Sequence, residues 1–138
     1  MTVIKSKRAE SDMQFLATAR ELLKFSLEKC KSEKVIPKSY RFFLALPLSE
    51  LANKVYDEVR AGNKIYPLNQ HEAQIRRDHF MAAEGYLDAM VGKVEISYEL
   101  IHYNESVLHE WARLISEELR LLAAVRKKDR ERYKNLPM

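Results

Sequence analysis

The stretch AQIRRDHFMAAEGYLDAMVGKVEISYELI, residues 73–101, decides the fold class. Apolar residues recur in it at every seventh position, which places them on one face of an α-helix. They are Ala73, Phe80, Leu87, Val94 and Ile101, with Ala83, Met90 and Tyr98 at intermediate positions. At about 1.5 Å per residue, this helix is on the order of 50 Å long. We expect the face to pack against other helices, and Gly85 and Gly92 beside it to let a neighbouring backbone approach closely.

Start and stop signals divide the chain into four predicted helices after a basic, flexible N-terminal segment 1–10. The helices are predicted over residues of about 11–33, 38–61, 70–102 and 105–133. Ser11 is the expected N-cap of the first helix. Asn69 is the expected N-cap of the third, with Glu72 completing a capping box.

The second predicted helix contains a proline. Pro47 removes one backbone hydrogen bond and clashes with the preceding turn, so we expect a distortion between Phe43 and Pro47. Gly62 followed by Asn63 is the expected end of this helix.

The composition favours a single all-α domain. The 138 residues include three glycines, four prolines and one cysteine, so helix formers dominate and no internal disulfide can form. Four long helices with short connections predict an antiparallel four-helix bundle over residues 1–138. The fourth helix has a wider apolar arc than one core needs, which leaves Leu119, Leu121 and Ala124 available to contact another subunit.

The charge of the chain is positive and unevenly distributed. Lys and Arg total 24 against 20 Asp and Glu, for a net charge of +4, which permits nucleic-acid binding without requiring it. Residues 126–134 hold six basic and two acidic residues, whereas residues 67–103 hold three basic and six acidic ones. The N-terminus lacks the apolar core of a secretory signal, and no stretch approaches the roughly 20 apolar residues of a membrane span. We therefore expect a cytoplasmic protein with no membrane partner.

No pattern of residues indicates catalysis or a bound metal. Cys30 falls on the apolar stripe of the first helix, and no histidine is identifiable as its partner. Glu99 and His102 have the Glu-x-x-His spacing of half a di-metal site, but the second such pair is missing. The sequence has no glycine-rich phosphate loop and no HExxH, GxSxG or CxxC motif. We expect a protein that is not an enzyme and that uses no cofactor or metal.

Three stretches, taken in order, carry a resemblance to a known family. They are IPKSYRFFLALPLSELANKVYDEV (36–59), IRRDHFMAAEGYLDAMV (75–91) and LHEWARLISEELRLLAAVRKKDRERYK (108–134). Together with a short first helix, they resemble the Avd family, the accessory variability determinants of diversity-generating retroelements, over roughly residues 15–134. That family is related to the four-helix-bundle proteins encoded by intervening sequences in bacterial 23S ribosomal RNA genes. Pro47 departs from the family pattern.

The resemblance implies a non-catalytic four-helix bundle that assembles as a pentameric, basic ring. Avd proteins bind the element's reverse transcriptase and nucleic acid, and they support the mutagenic copying of a template RNA into cDNA. The expected partners are therefore a reverse transcriptase, a structured RNA and copies of the same chain. Further candidates are cDNA and DNA. Two alternatives stay open: a ribosomal-RNA-associated bundle of the intervening-sequence type, and a homo-oligomeric interaction module that contacts protein only.

The candidate binding residues are basic side chains that match the family or lie near the end of the fourth helix. They are Lys38, Arg41, Arg76, Arg77, Arg126, Lys127, Lys128, Arg130 and Arg132. They are either phosphate contacts, whose field is multiplied around a ring, or solvated side chains that partly serve the helix dipole. Replacing Arg76 and Arg77 by Glu is expected to abolish RNA or polymerase binding while the fold stays intact.

Aromatic residues near these positions have two candidate roles. Tyr133 is available to stack on a base that is not paired in a duplex. Tyr40, Phe42 and Phe43 are expected to be core residues rather than a base-stacking platform.

Overall fold

The computed structural model describes the backbone of residues 2–138 and the side chains from Met13 onward. This part of the chain is helical and contains no strand, which confirms the all-α, four-helix prediction. The helices are α1 (Thr2–Lys31), α2 (Leu46–Lys64), α3 (Gln70–Ile101) and α4 (Glu105–Tyr133). A 3₁₀ turn (Lys38–Tyr40) and a π-helical turn (Arg41–Ala45) precede α2.

Each helix packs against two neighbours, so that α1 and α3 both lie between α2 and α4. Contacts between α3 and α4 show that they run antiparallel, because Arg76 meets Asp129 while Glu84, further along α3, meets Arg126, earlier in α4. None of the described helices has the length and apolar character that crossing a bilayer requires.

The core follows the face predicted for α3. Phe80, Leu87, Met90 and Val94 are buried and join apolar residues of the other three helices in one cluster. Trp111 of α4 is also fully buried, and its indole Nε1 donates to the Ser26 hydroxyl of α1 at 2.9 Å. A buried tryptophan is therefore both packed and satisfied in hydrogen bonding.

The start of α3 confirms the predicted cap with one change. The Asn69 side chain accepts a hydrogen bond from the Glu72 backbone N–H at 2.9 Å. The Glu72 carboxylate accepts from the Leu68 N–H at 2.7 Å, one residue earlier than in a standard capping box.

The predicted start of α1 was wrong, because this helix begins at Thr2 and Ser11 lies inside it. The side chains of residues 1–10, predicted to be a flexible segment, lie outside the described side chains.

The distortion predicted before Pro47 takes the form of the π-helical turn. Proline has no N–H to donate to the Phe43 carbonyl, so a regular α-turn cannot close there. The Leu46 N–H instead bonds to the Arg41 carbonyl, five residues back. Regular α-helix then continues, with Pro47 in the first turn of α2, where a missing N–H is tolerated.

The glycines have different roles from those predicted. Gly62 does not end α2, which continues to Lys64. It is needed for a close approach, because a Cβ at this position would lie 2.6 Å from the Phe80 ring. Gly85 and Gly92 were predicted to let a neighbouring backbone approach closely. This prediction was wrong for the helices of one chain, since a Cβ at either position meets no described atom within 4 Å.

Candidate nucleic-acid interface

Arg76 is a structural residue, which corrects its prediction as a binding residue. Its side chain is 8% exposed, and its Nε donates to the Asp129 carboxylate of α4 at 2.7 Å. One guanidinium nitrogen donates to the Gly62 and Ile65 carbonyls at 3.0 and 3.1 Å. Arg76 thus joins the end of α2 to α3 and α4. Arg76→Glu would place a second carboxylate beside Asp129, so we now expect it to destabilise the fold rather than leave it intact.

Arg77 points away from the core, as adjacent helical positions lie about 100° apart. Its side chain is exposed and donates to the Gln74 side chain at 2.8 Å. The two arginines therefore differ: Arg76 belongs to the interior, and Arg77 remains a surface candidate.

The basic end of α4 contains one partly buried cation and four exposed ones. Arg126 donates to the Glu84 carboxylate of α3 at 2.6 Å, with both side chains about a quarter exposed. The exposed residues are Lys127, Lys128, Arg130 and Arg132. Lys128 and Arg132, four residues apart, share one side of the helix, while Lys127 and Arg130 share another. Arg126 therefore fixes α4 on α3, whereas the other four side chains lie at the surface of the bundle.

A groove of about 390 Å³ lies beside the basic end of α4. We call it the α1/α4 groove, because its lining comes mainly from these two helices, with Tyr66 added by the connection between α2 and α3. Part of the lining is apolar or aromatic, including Phe15, Leu121, Val125, Tyr66 and Tyr133, and part is cationic, including Arg120, Lys128 and Arg132. Leu121 and Ala124, predicted to be available to another subunit, both line this groove.

Lys38 and Arg41 lie at the opposite end of the bundle, near the end of α1. Both are exposed, and the Arg41 guanidinium lies 3.7 Å from the Glu33 carboxylate. Since α4 has 29 residues, about 40 Å separates this end from the basic end of α4. The structure therefore divides the candidate residues between two surfaces.

The core prediction for Phe42 and Phe43 was wrong. Each is 75% exposed in the π-helical turn, whereas Tyr40 is half-buried and packs against the core. Together with Lys38 and Arg41, the two rings form what we call the Phe42–Phe43 surface. Neighbouring exposed aromatic and cationic side chains are typical of protein and nucleic-acid contacts.

The buried side of α4 contains an acidic residue that was not among the candidate binding residues. Glu118 is fully buried, and neither of its carboxyl oxygens has a hydrogen-bond partner among the described residues. Burial, with a smaller contribution from Glu117, raises the pKa of Glu118 to about 9, so the group is neutral at physiological pH. Its position seven residues after buried Trp111 was the available signal.

Cys30 is partly buried near the end of α1. Burial raises the pKa of the Cys30 thiol, and a smaller opposing effect comes from a hydrogen bond with Ser49, so the reactive thiolate is disfavoured. Among the described side chains, no group of three or more His, Cys, Asp or Glu is arranged to hold a metal ion.

Comparison with family models, curated protein sequences and solved structures finds no match for this chain.

Proposed function

We propose that this protein is a non-catalytic accessory subunit of a diversity-generating retroelement, which binds the reverse transcriptase and its structured RNA and supports mutagenic cDNA synthesis. The four-helix bundle and the order of the three family-like stretches are consistent with this function. The observation that carries the proposal is the group of four exposed cations on the last turns of α4, next to a groove with aromatic walls.

Four cations at one helix end are suited to contact phosphates. Each phosphate that a lysine or arginine neutralises releases condensed counterions, and binding therefore weakens as salt rises. Lys127, Lys128, Arg130 and Arg132 would give a slope of about −3 in a plot of log affinity against log salt for each protomer. In a pentameric ring, the same group is repeated, and the field at the RNA is multiplied.

Assembly with further copies is supported by the outward side of α3. Gly85, Gly92, Ile96 and Leu100 share this side, and the latter two are 47% and 54% exposed. The two glycines leave room for a second helix to approach closely, a role they do not have within the chain. Native mass spectrometry should give the mass of a homo-oligomer, and Gly92→Arg should reduce it to that of a monomer.

The Phe42–Phe43 surface is the proposed contact for the polymerase. Aromatic and arginine side chains are enriched where protein partners bind most strongly, and this surface is remote from the basic end of α4. Co-purification with the reverse transcriptase should be lost in Phe42→Ser/Phe43→Ser and retained in Lys127→Gln/Arg130→Gln. Loss in both variants, or in neither, would contradict this division of surfaces.

The first experiment measures fluorescence anisotropy of a labelled, structured RNA across a salt series. The proposal expects steep salt dependence, and a slope reduced by about one for each cation of α4 replaced by glutamine. Arg113→Gln is the control, because Arg113 is exposed in the other half of α4 and pairs with Glu110.

The second candidate function is a module that contacts protein only, and the two exposed rings of the Phe42–Phe43 surface favour it. Absence of RNA binding even at low salt would support this candidate. RNA binding without any polymerase complex would instead favour the ribosomal-RNA-associated type.

A further inference from the structure

The end of α4 is attached to the start of α3 by Gln70, the first residue of α3. The Gln70 Nε2 donates to the Tyr133 carbonyl at 2.8 Å, and the Leu136 and Lys134 carbonyls lie 3.1 and 3.3 Å from the same nitrogen. The Gln70 backbone N–H donates to the Pro137 carbonyl at 2.9 Å. We call these contacts the Gln70 clamp. The last carbonyls of a helix have no partner within the helix, so the clamp satisfies groups that would otherwise be left to water.

The Gln70 clamp is the last of three polar links between α3 and α4. The other two are the ion pairs of Arg126 and Asp129. Together with Tyr133, these residues are three and four positions apart, so they lie on one side of α4 at successive turns. No described residue of α4 after Leu122 is fully buried. These turns therefore lack the apolar burial that fixes most helices in place.

Two of the exposed cations directly follow linked residues. Lys127 follows Arg126, and Arg130 follows Asp129. Adjacent helical positions point about 100° apart, so a residue that faces α3 turns the next side chain away from α3. The three links thus fix both the path of the helix and the direction in which Lys127 and Arg130 point.

We propose that Gln70 is a positioning residue for RNA binding, which holds the last turns of α4 in place so that Lys127 and Arg130 are presented together to phosphates. This inference rests on the proposed function and adds to it an uncharged residue on a different helix. When a helix end frays, only part of the population is ready to bind, and the apparent affinity falls by that fraction. A clamped end also avoids the entropy cost of ordering these side chains on binding.

Hydrogen exchange of the 138-residue chain tests the clamp without RNA. Gln70→Ala removes the side-chain donor and leaves the backbone N–H in place. The backbone amides of residues 130–133 should then exchange about fivefold faster or more, whereas those around buried Trp111 should be unchanged. Gln74→Ala is the matched control, because Gln74 lies one turn further along α3 and makes its hydrogen bonds within that helix. Equal exchange in wild type and Gln70→Ala would overturn the proposal.

RNA affinity tests what the clamp does. With a labelled, structured RNA, fluorescence anisotropy should show binding about 3- to 10-fold weaker for Gln70→Ala at fixed salt. The slope of log affinity against log salt should stay the same, because the same phosphates are contacted once the helix end is ordered. Gln74→Ala should bind as wild type does. Gln70→Glu keeps the size of the side chain but has no donor, so it should bind at least as weakly as Gln70→Ala. Weakening by Gln70→Glu alone would assign the effect to charge and overturn the proposal.

A double-mutant cycle shows whether Gln70 acts through the two cations. In the Lys127→Gln/Arg130→Gln background, Gln70→Ala should weaken RNA binding by no more than about twofold, because the side chains that it positions are absent. Independent effects, or faster exchange at the end of α4 with unchanged RNA affinity, would reduce Gln70 to a helix cap and overturn the proposal. If wild type binds no RNA, the proposed function and the positioning role both fail, and hydrogen exchange still shows whether the clamp holds α4.

Discussion

Replacing Glu118 by glutamine is expected to stabilise the protein increasingly as the pH rises. Glu118 is fully buried, and within the part of the chain that the structure describes both of its carboxyl oxygens lack hydrogen-bond partners. Burial raises its pKa from 4.5 to about 9, and the charge of Glu117 adds to this shift. Glutamine has nearly the same size and remains polar, but it does not ionise. The difference in stability between the two proteins therefore isolates the effect of this one proton.

The magnitude follows from proton linkage. In the unfolded chain, Glu118 loses its proton near pH 4.5, whereas in the folded protein it keeps the proton up to about pH 9. Between these values the folded state binds one more proton than the unfolded state, so rising pH favours unfolding. The free energy of unfolding falls by about 1.4 kcal/mol per pH unit from this group, or about 3 kcal/mol between pH 4.5 and pH 7. The contribution of protonated Glu118 to the free energy of unfolding of wild type is fully present below pH 4.5 and is lost by about pH 9.

The assay is urea unfolding of wild type and Glu118→Gln at several pH values within this window. Far-UV circular dichroism reports helix content, and the fluorescence of Trp111, which is buried, reports the core. Glu117→Gln is the matched control, since Glu117 is one residue away, lies at the surface and pairs with Arg120. The difference in the free energy of unfolding between Glu117→Gln and wild type should not rise with pH. A constant difference between wild type and Glu118→Gln across the window would refute a neutral, buried carboxyl group.

Two further substitutions test how the ends of the helices are joined. Arg76→Gln should lower the free energy of unfolding by about 3–5 kcal/mol, because it leaves Asp129 and two carbonyls of the α2 end without their donor; a loss below about 1 kcal/mol in urea unfolding would contradict this role. Gly62→Ala should cost about 1–3 kcal/mol through overlap with the Phe80 ring. In a double-mutant cycle, Gly62→Ala should cost less free energy of unfolding when Phe80→Leu is already present. Purely additive effects would argue against the overlap.

Elements governed by local spacing could be predicted from the sequence. The seven-residue repeat of α3 places Phe80, Leu87 and Val94 in the core, since helical periodicity alone decides which face is apolar. The Asn69 cap also depends on residues only three positions apart. Both features are determined within a few turns of one helix, so residues that are close in sequence suffice to identify them.

Features that depend on distant partners could not be predicted in this way. Arg76 is buried because Asp129, which is 53 residues away, and the carbonyls of the α2 end converge on its guanidinium. A basic residue in a polar stretch gives no indication of such partners. Phe42 and Phe43 were misplaced for a different reason. The buried residues of the π-helical turn are Leu44 and Ala45, and Phe42 and Phe43 lie on the other side of the turn, which faces solvent.

The separation of the two candidate surfaces bears on how an accessory protein holds two partners. Under the proposed function, RNA contacts the basic end of α4 and the polymerase contacts the Phe42–Phe43 surface, about 40 Å away along the helices. Phosphate attraction is screened within about 10 Å at ordinary salt, so neither partner would disturb the other's contact through charge alone. Substitutions at one surface should therefore leave binding at the other unchanged. If they instead alter both, the two surfaces must be brought together by assembly of several copies, because the rigid helices of one protomer keep them apart.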